Sequence, residues 1–212
     1  EPEKTTCNID PKKIVSVITK RTKAIIAVHL YGQPCRLNSI LDIARNNNLK
    51  VIEDAAQAHG ARYNGKRIGG HSDACIWSFY PAKNLGCMGD GGAITTNCGK
   101  IAKKLKVLRN YRGEKKYITD TIGVNSRLDP IQAGILTVKL KYLDEWNQRR
   151  KDLASIYQKK LSPTSFKLQE ISKFSDSVWH LFTIRSKHRK KIQLELKRNG
   201  VETVIHYPKP PH

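Results

Sequence analysis

The sequence lacks the residue patterns that mark several large classes of protein. It contains five cysteines, an odd number, without any Cys-x-x-Cys pair, so neither a disulfide framework nor a zinc site is indicated. No run approaches the roughly eighteen apolar residues of a membrane span, because candidates such as residues 24–28 have only the length of a strand. The seven histidines show no metal-ligand spacing. We therefore expect a reducing, cytoplasmic setting, no metal and no membrane association.

Methionine is almost absent, since Met88 is the only one in the chain. The first residues are polar and charged rather than apolar, so we expect no signal peptide. Because no initiator methionine stands at the start, we also expect a processed or truncated product.

Acidic residues are scarce, with 18 Asp and Glu against 39 Lys and Arg, which gives a formal net charge of +21. Such an excess is typical of proteins that bind nucleic acids or membranes, but also of a lysine-rich solvated surface. The basic residues occur in short runs along the whole chain, without interleaved aromatics and without helix-turn-helix or zinc-finger spacing. We therefore favour a solvated surface that helps to attract an anionic substrate, and expect no specific nucleic-acid partner.

The apolar pattern alternates between the spacing of strands and that of helices. Residues 24–30 and 51–53 are short apolar runs typical of buried strands, and residues 36–48 between them carry apolar side chains at helical spacing. This order with short links predicts a parallel crossover in an α/β sheet. Further strands are predicted over residues 74–79 and 92–96.

Helix-start signals occur twice, at Asp10-Pro11 and at Asp129-Pro130. The second begins a long apolar stripe that reaches Leu161 and predicts one long helix. Weaker patterns after Pro163 predict a strand over residues 179–185, a helix over 189–199 and a strand over 201–206. We divide the chain into part of a large α/β domain (1–130), a long connecting helix (131–162) and the beginning of a small C-terminal domain (163–212).

Two polar residues follow the predicted strand at residues 51–53. Asp54 stands at its carboxyl end, which is where ligands bind in open α/β sheets. Gln57 comes three residues later, so the two side chains face the same way if the segment turns helically. A helix cap is the simpler explanation of Asp54 when it is considered alone.

Lys83 stands in a small, apolar and turn-forming segment, and Gly86, Gly89, Gly91 and Gly92 follow closely. Burial depresses the pKa of a lysine, and a neutral lysine amine can form a Schiff base. An ordinary surface lysine is the alternative. The segment is not a phosphate loop of the G-x-x-x-x-G-K type, because the lysine precedes the glycines.

Four segments together resemble the sugar aminotransferases of the DegT/DnrJ/EryC1/StrS family. They are residues 53–60 (EDAAQAHG), 78–92, 125–129 (NSRLD) and 205–208 (IHYP), and their order and spacing agree with the family over nearly the whole chain. The resemblance implies an α/β, aspartate-aminotransferase-like (fold type I) enzyme dependent on pyridoxal 5'-phosphate (PLP). Segments that the family has before Glu1 and after His212 are missing, so the fold is expected to be incomplete at both ends.

The resemblance also implies cofactor-binding roles. Lys83 resembles the lysine that holds PLP, and Asp54 resembles the partner of the pyridine nitrogen. Gln57 resembles the contact to the cofactor's 3-hydroxyl, and Ser78 resembles a phosphate ligand. Asn125 resembles a residue that reaches the phosphate from the neighbouring subunit, which implies a homodimer with shared active sites.

Substrate contacts and reaction follow from the same resemblance. Arg127 and His206 are candidates for contacting an acidic donor or the sugar, with a structural ion pair and strand packing as their respective alternatives. The family implies transfer of an amino group from an amino acid, usually glutamate, to a nucleotide-linked keto-sugar. The Ser-Phe-Tyr-Pro sequence at Ser78 resembles the 3-amino-sugar branch and points to a 3-keto-6-deoxyhexose.

Two other functions remain open. Some members of the family have histidine in place of the lysine and act as dehydratases, and Lys83 favours transamination over that reaction. A non-enzymatic regulatory protein of the same fold is supported only by the net charge.

Overall fold

The computed structural model describes residues 2–111 and 123–209. The strands of this part are β1 (Ala24–Val28), β2 (Lys50–Asp54), β3 (Arg62–Tyr63), β4 (Lys66–Arg67), β5 (Ala74–Ser78), β6 (Gly92–Thr95), β7 (Lys167–Leu168), β8 (Ser175–Asp176) and β9 (Ile184–Arg185). The α-helices are α1 (Leu37–Asn46), α2 (Gly99–Leu108), α3 (Pro130–Leu140), α4 (Leu143–Leu161) and α5 (Arg189–Arg198).

The central sheet has four strands in the order β1-β2-β5-β6. Strands β1, β2 and β5 run parallel, and β6 is antiparallel to β5. The α/β class and the parallel crossover predicted from the sequence are therefore confirmed. Helix α1, which connects β1 to β2, packs Leu37, Ile40 and Ala44 against buried strand residues such as Val51. This packing fixes the edge of the sheet at which β2 and β5 end.

The long helix predicted over residues 131–162 is wrong as a single element. It is two helices, α3 and α4, which are separated at Lys141 and Tyr142. Leu136 of α3 and Leu143 of α4 are both buried in a second core, together with Leu85 from the segment after Lys83. The sequence did not reveal the break, because no proline or glycine marks it and the apolar spacing continues across it.

The terminal regions contain less regular structure than predicted. The segment at Asp10-Pro11 forms two short 3-10 turns, Pro11–Lys13 and Val15–Val17, rather than an α-helix. Only Ile184–Arg185 of the strand predicted over 179–185 is a strand, and residues 201–206 form none. Helix α5 agrees with the prediction, whereas α2 was not predicted.

A fully buried hydrogen bond joins His29 to Glu53 near the carboxyl end of β2. His29 and Glu53 are both 0 % exposed, and His29 Nε2 is 3.1 Å from Glu53 Oε2. Cys35 N–H donates to His29 Nδ1, so Nε2 carries the ring proton and donates it to Glu53. Burial alone would raise the pKa of Glu53, but hydrogen bonds from His29, Ser72 and Gly69 outweigh burial and hold its pKa below the usual range.

We expect Glu53→Gln to lower the free energy of unfolding by about 1–3 kcal/mol at pH 7, because a buried amide N–H then faces groups that donate to the carboxylate. The carboxylate's contribution is present above its unfolded pKa of about 4.3 and is lost as pH falls through its lower folded pKa. Urea unfolding of wild type and variant from pH 7 down to pH 3 measures the difference, which should shrink only below about pH 4.3. Glu195→Gln, at an exposed carboxylate on α5, should change stability by less than about 0.5 kcal/mol. Equal effects of the two substitutions would contradict the prediction.

Candidate active site

Three of the predicted site residues lie at one edge of the central sheet. Asp54 is the last residue of β2, and Ser78 is the last residue of the neighbouring parallel strand β5. Asp54 pairs with Ile76, so Ser78 lies two residues further along. Lys83 follows in the turn after β5. Ligands of open α/β sheets bind beyond the carboxyl ends of the strands, which is where these side chains are.

The turn that carries Lys83 is closely packed. Lys83 N–H donates to the Tyr80 carbonyl at 2.9 Å. A Cβ added to Gly86 would lie 2.5 Å from the Pro81 carbonyl oxygen and 2.7 Å from that of Tyr80, so only glycine fits at this position. Lys139 of α3 donates a hydrogen bond to the Gly86 carbonyl. The backbone that presents Lys83 is therefore held from both sides.

The amine of Lys83 is in a setting that favours its neutral form. Burial lowers its pKa from the ordinary lysine value, and the charge of Asp54 opposes this shift only in part. Two histidines that the sequence did not indicate as site residues, His59 and His180, lie close enough for the Lys83 charge to act on them. Burial, followed by the Lys83 charge, lowers the pKa of each imidazole to about 4. Both imidazoles are therefore neutral at pH 7.

Asp54 has one carboxylate oxygen engaged and one available. Its Oδ1 accepts a hydrogen bond from Ala56 N–H at 3.0 Å. Among the described residues nothing hydrogen-bonds its Oδ2. Residues 55–60 form turns rather than a helix, so Asp54 is not a helix cap. The available oxygen can accept a hydrogen bond from a protonated ring nitrogen.

Gln57 connects the end of β2 to the last described segment of the chain. Its Oε1 accepts from Tyr31 N–H at 2.7 Å, and its Nε2 donates to the Tyr207 hydroxyl at 3.0 Å. The Tyr31 hydroxyl donates to the His206 carbonyl at 2.7 Å. The strand packing considered for His206 is wrong, because its ring packs on Tyr207 at 5.3 Å and no strand forms there. The two tyrosines were missed, since no spacing in the sequence relates them.

Asn125 and Arg127 lie apart from this group. Asn125 forms an isolated antiparallel bridge with Asn110, and its side chain is exposed. Arg127 donates to Asn110 Oδ1 at 2.8 Å and places its guanidinium 5.5 Å from the centre of the Tyr111 ring. The ion pair considered for Arg127 is not present among the described residues. Within residues 2–111 and 123–209, no hydrogen bond joins either side chain to Lys83.

Within the same ranges, no group of three or more His, Cys, Asp or Glu residues is placed to hold a metal ion. The helices of this part include none that is both long and apolar enough to cross a membrane.

The arrangement agrees with a family of known proteins. All 212 residues match the model of the DegT/DnrJ/EryC1/StrS aminotransferase family. The chain belongs to this family. Its members include the dTDP-3-amino-3,6-dideoxy-alpha-D-galactopyranose transaminase of Aneurinibacillus thermoaerophilus, which is 55% identical over 212 residues, covering 100% of this chain and 58% of the relative.

Solved structures share the fold. The crystal structure of Streptomyces venezuelae DesV in complex with a ketimine intermediate has a TM-score of 0.98 at 45% identity, over 100% of this chain and 57% of that chain. The structure of Bacillus subtilis NtdA with bound cofactor PMP has a TM-score of 0.85 at 37% identity, over 95% of this chain and 47% of that chain. The fold is therefore that of the type I aminotransferases, and this chain spans about half of the length of these relatives.

Proposed function

We propose that the protein is a cytoplasmic, PLP-dependent aminotransferase that moves an amino group from an amino acid, glutamate by preference, to a nucleotide-linked keto-sugar. The observation that carries the proposal is the partly buried Lys83, whose pKa is lowered, at the same sheet edge as Asp54. The printed name of the relative from Aneurinibacillus specifies a dTDP-linked 3-amino-3,6-dideoxy sugar. That name supports a 3-keto-6-deoxyhexose as the acceptor. All five cysteines are free, which fits a reducing compartment.

The residues present fit PLP. A pyridine nitrogen needs a carboxylate in order to stay protonated, and Asp54 Oδ2 is available for it. Ser78 can donate its hydroxyl to a phosphate oxygen, and the Nε2 amide of Gln57 can leave Tyr207 to contact the 3-hydroxyl. Lys83 would supply the amine that holds the cofactor through its aldehyde. When bound, PLP supplies an electron sink that stabilises negative charge at the substrate carbon.

Lys83 would also transfer the proton in the reaction. With PLP bound, Lys83 Nζ would be the group placed to take a proton from the α-carbon of the amino donor and to hold it for return. This transfer requires the neutral amine, and burial favours that form by lowering the pKa of Lys83 from its ordinary value. Histidine at this position would be shorter and could not attach to an aldehyde in the same way. We therefore favour transamination over dehydration.

The proposal is tested by two measurements on the protein expressed from its complete gene. Borohydride reduction of the PLP-loaded protein followed by peptide mapping should place the cofactor on Lys83. Incubation with glutamate and a dTDP-linked 3-keto-6-deoxyhexose should yield the 3-amino sugar. Label on another lysine refutes the assignment of Lys83. Tight, sequence-selective DNA binding at physiological salt without amino transfer would instead support the regulatory alternative.

We propose further that Asn125 completes the cofactor site of a neighbouring subunit in a homodimer. Its side chain is exposed and makes no hydrogen bond to Lys83 among the described residues, so a role within its own subunit lacks support. Mixing inactive Lys83→Ala and Asn125→Ala proteins should restore up to about one quarter of wild-type activity, because a hybrid dimer contains one intact site. Lys83→Ala mixed with Lys66→Ala, an exposed lysine on β4, should give about one half of wild-type activity and sets the scale of the assay, while co-purification of tagged with untagged subunits measures exchange. Proven exchange without recovery contradicts a shared site.

A further inference from the structure

Two buried side-chain amides, those of Asn84 and Asn147, are hydrogen-bonded to each other, and the first belongs to the residue after Lys83. Asn84, the next residue, is 5 % exposed, and its Nδ2 donates to Asn147 Oδ1 at 2.9 Å and to the Val178 carbonyl at 3.0 Å. Asn147 of α4 is 3 % exposed and donates to the His59 carbonyl at 2.8 Å. Asn84 therefore joins the Lys83 turn to helix α4 and to the segment at Val178, and Asn147 extends the chain to His59.

The orientation of both amides is determined by backbone carbonyls. A carbonyl can only accept, so the atom of Asn84 facing Val178 must be the nitrogen, and the atom of Asn147 facing His59 must also be the nitrogen. Asn84 Oδ1 is therefore an oxygen acceptor, and it lies 3.0 Å from His180 Nδ1. His180 Nδ1 must carry a proton in order to donate to it.

The neutral form of His180 then has a single arrangement. With the proton on Nδ1, the other ring nitrogen, Nε2, holds a lone pair and can only accept. Among the described residues nothing hydrogen-bonds this Nε2. The backbone that carries the ring is closely packed, because a Cβ added to Gly32 would lie 2.9 Å from both the His180 and the Trp179 backbone nitrogens.

We propose that His180 is a positioning residue of the active site, held by Asn84 as the Nδ1-protonated tautomer so that Nε2 accepts a hydrogen bond from the amine of Lys83. This inference rests on the proposed function, in which Lys83 leaves the cofactor and must be held for proton transfer. The sequence separates Asn84 from His180 by 96 residues, so only the folded chain brings them together.

The tautomer can be measured without any reaction. In the protein from the complete gene, 15N-labelled on histidine, the ring of His180 should give the nitrogen shifts of a protonated Nδ1 and an unprotonated Nε2 at pH 7. Its signals are assigned by their loss in His180→Gln. A protonated Nε2 in the wild-type protein overturns the proposal, whether or not amino transfer to a keto-sugar is found.

Two substitutions of similar polarity separate the functions of the two ring nitrogens. His180→Asn keeps an amide donor near the Nδ1 position but removes the distant acceptor, whereas His180→Gln places an amide oxygen near Nε2. We expect His180→Asn to lower kcat about tenfold or more, the loss expected for one hydrogen bond to a charged group, with little change in KM. His180→Gln should stay within about threefold of wild type. Equal losses in the two variants, or a loss carried by KM, contradict the proposal.

Competitive acylation of the PLP-free protein gives a readout that is independent of catalysis. Labelling at limiting reagent over a range of pH, followed by peptide mapping, reports the pKa of the Lys83 amine. Removal of a hydrogen-bond acceptor disfavours the ammonium form, so the pKa of Lys83 should be lower in His180→Asn than in wild type and unchanged in His180→Gln. An unchanged pKa of Lys83 in His180→Asn means that Nε2 does not contact the amine and refutes the proposal.

Discussion

Lys83→Ala is expected to lower kcat for amino transfer by at least about 10²–10⁴-fold in the protein from the complete gene, because the group that moves the proton is lost. The fold should persist, since the side chain of Lys83 is only partly buried and its backbone hydrogen bond to Tyr80 needs no side chain. The measurement is the single-turnover rate of amino transfer at saturating PLP, together with the midpoint of thermal unfolding. Borohydride should no longer attach cofactor to this peptide.

Two comparisons sharpen the test of Lys83. Lys66→Ala removes an exposed lysine on β4 and should leave the rate unchanged. A small primary amine added to Lys83→Ala should restore part of the rate, because it can carry the proton in place of the lysine. A Lys83→Ala protein that retains near-normal turnover would mean that another group moves the proton.

Asp54→Asn is expected to lower kcat by about 10²–10³-fold, the size of effect found when one preorganised electrostatic contact is removed. An amide cannot hold positive charge on the pyridine nitrogen. The fold should be retained, because the Oδ1 of asparagine can still accept from Ala56 N–H. Ultraviolet–visible spectra of the PLP-loaded variant, together with its thermal midpoint, separate a lost electron sink from lost binding or unfolding.

Asp73→Asn provides the matched control for Asp54→Asn. Asp73 accepts from Val51 N–H and from Lys50 at the opposite end of the same strand, so its loss should affect stability but not the rate. If Asp54→Asn turned over normally in a folded protein, the proposed role of the carboxylate would be wrong. If Asp73→Asn lost as much activity, the effect would belong to the strand rather than to the site.

The sequence indicated the central residues of the candidate site because they follow short apolar strands. Asp54 ends β2 and Lys83 follows β5, and adjacent parallel strands end at the same edge of a sheet. The link from Gln57 to Tyr207 could not be predicted in this way, because 150 residues separate them and no spacing in the sequence relates them. The same holds for Asn84 and Asn147, which are 63 residues apart.

The apolar pattern by itself determined that this chain forms an α/β sheet with a parallel crossover and where β1, β2, β5, β6 and α1 lie, because the spacing of buried side chains follows directly from strand and helix geometry. Only the tertiary structure decided that residues 131–162 form two helices, since packing of Leu136 and Leu143 against Leu85 outweighs continuous helical spacing. Only the tertiary structure also brought His59 and His180 within reach of the Lys83 charge. The periodicity of apolar residues predicts which side chains are buried. A buried polar group must be hydrogen-bonded, but its partner depends on which distant segments the fold brings next to it.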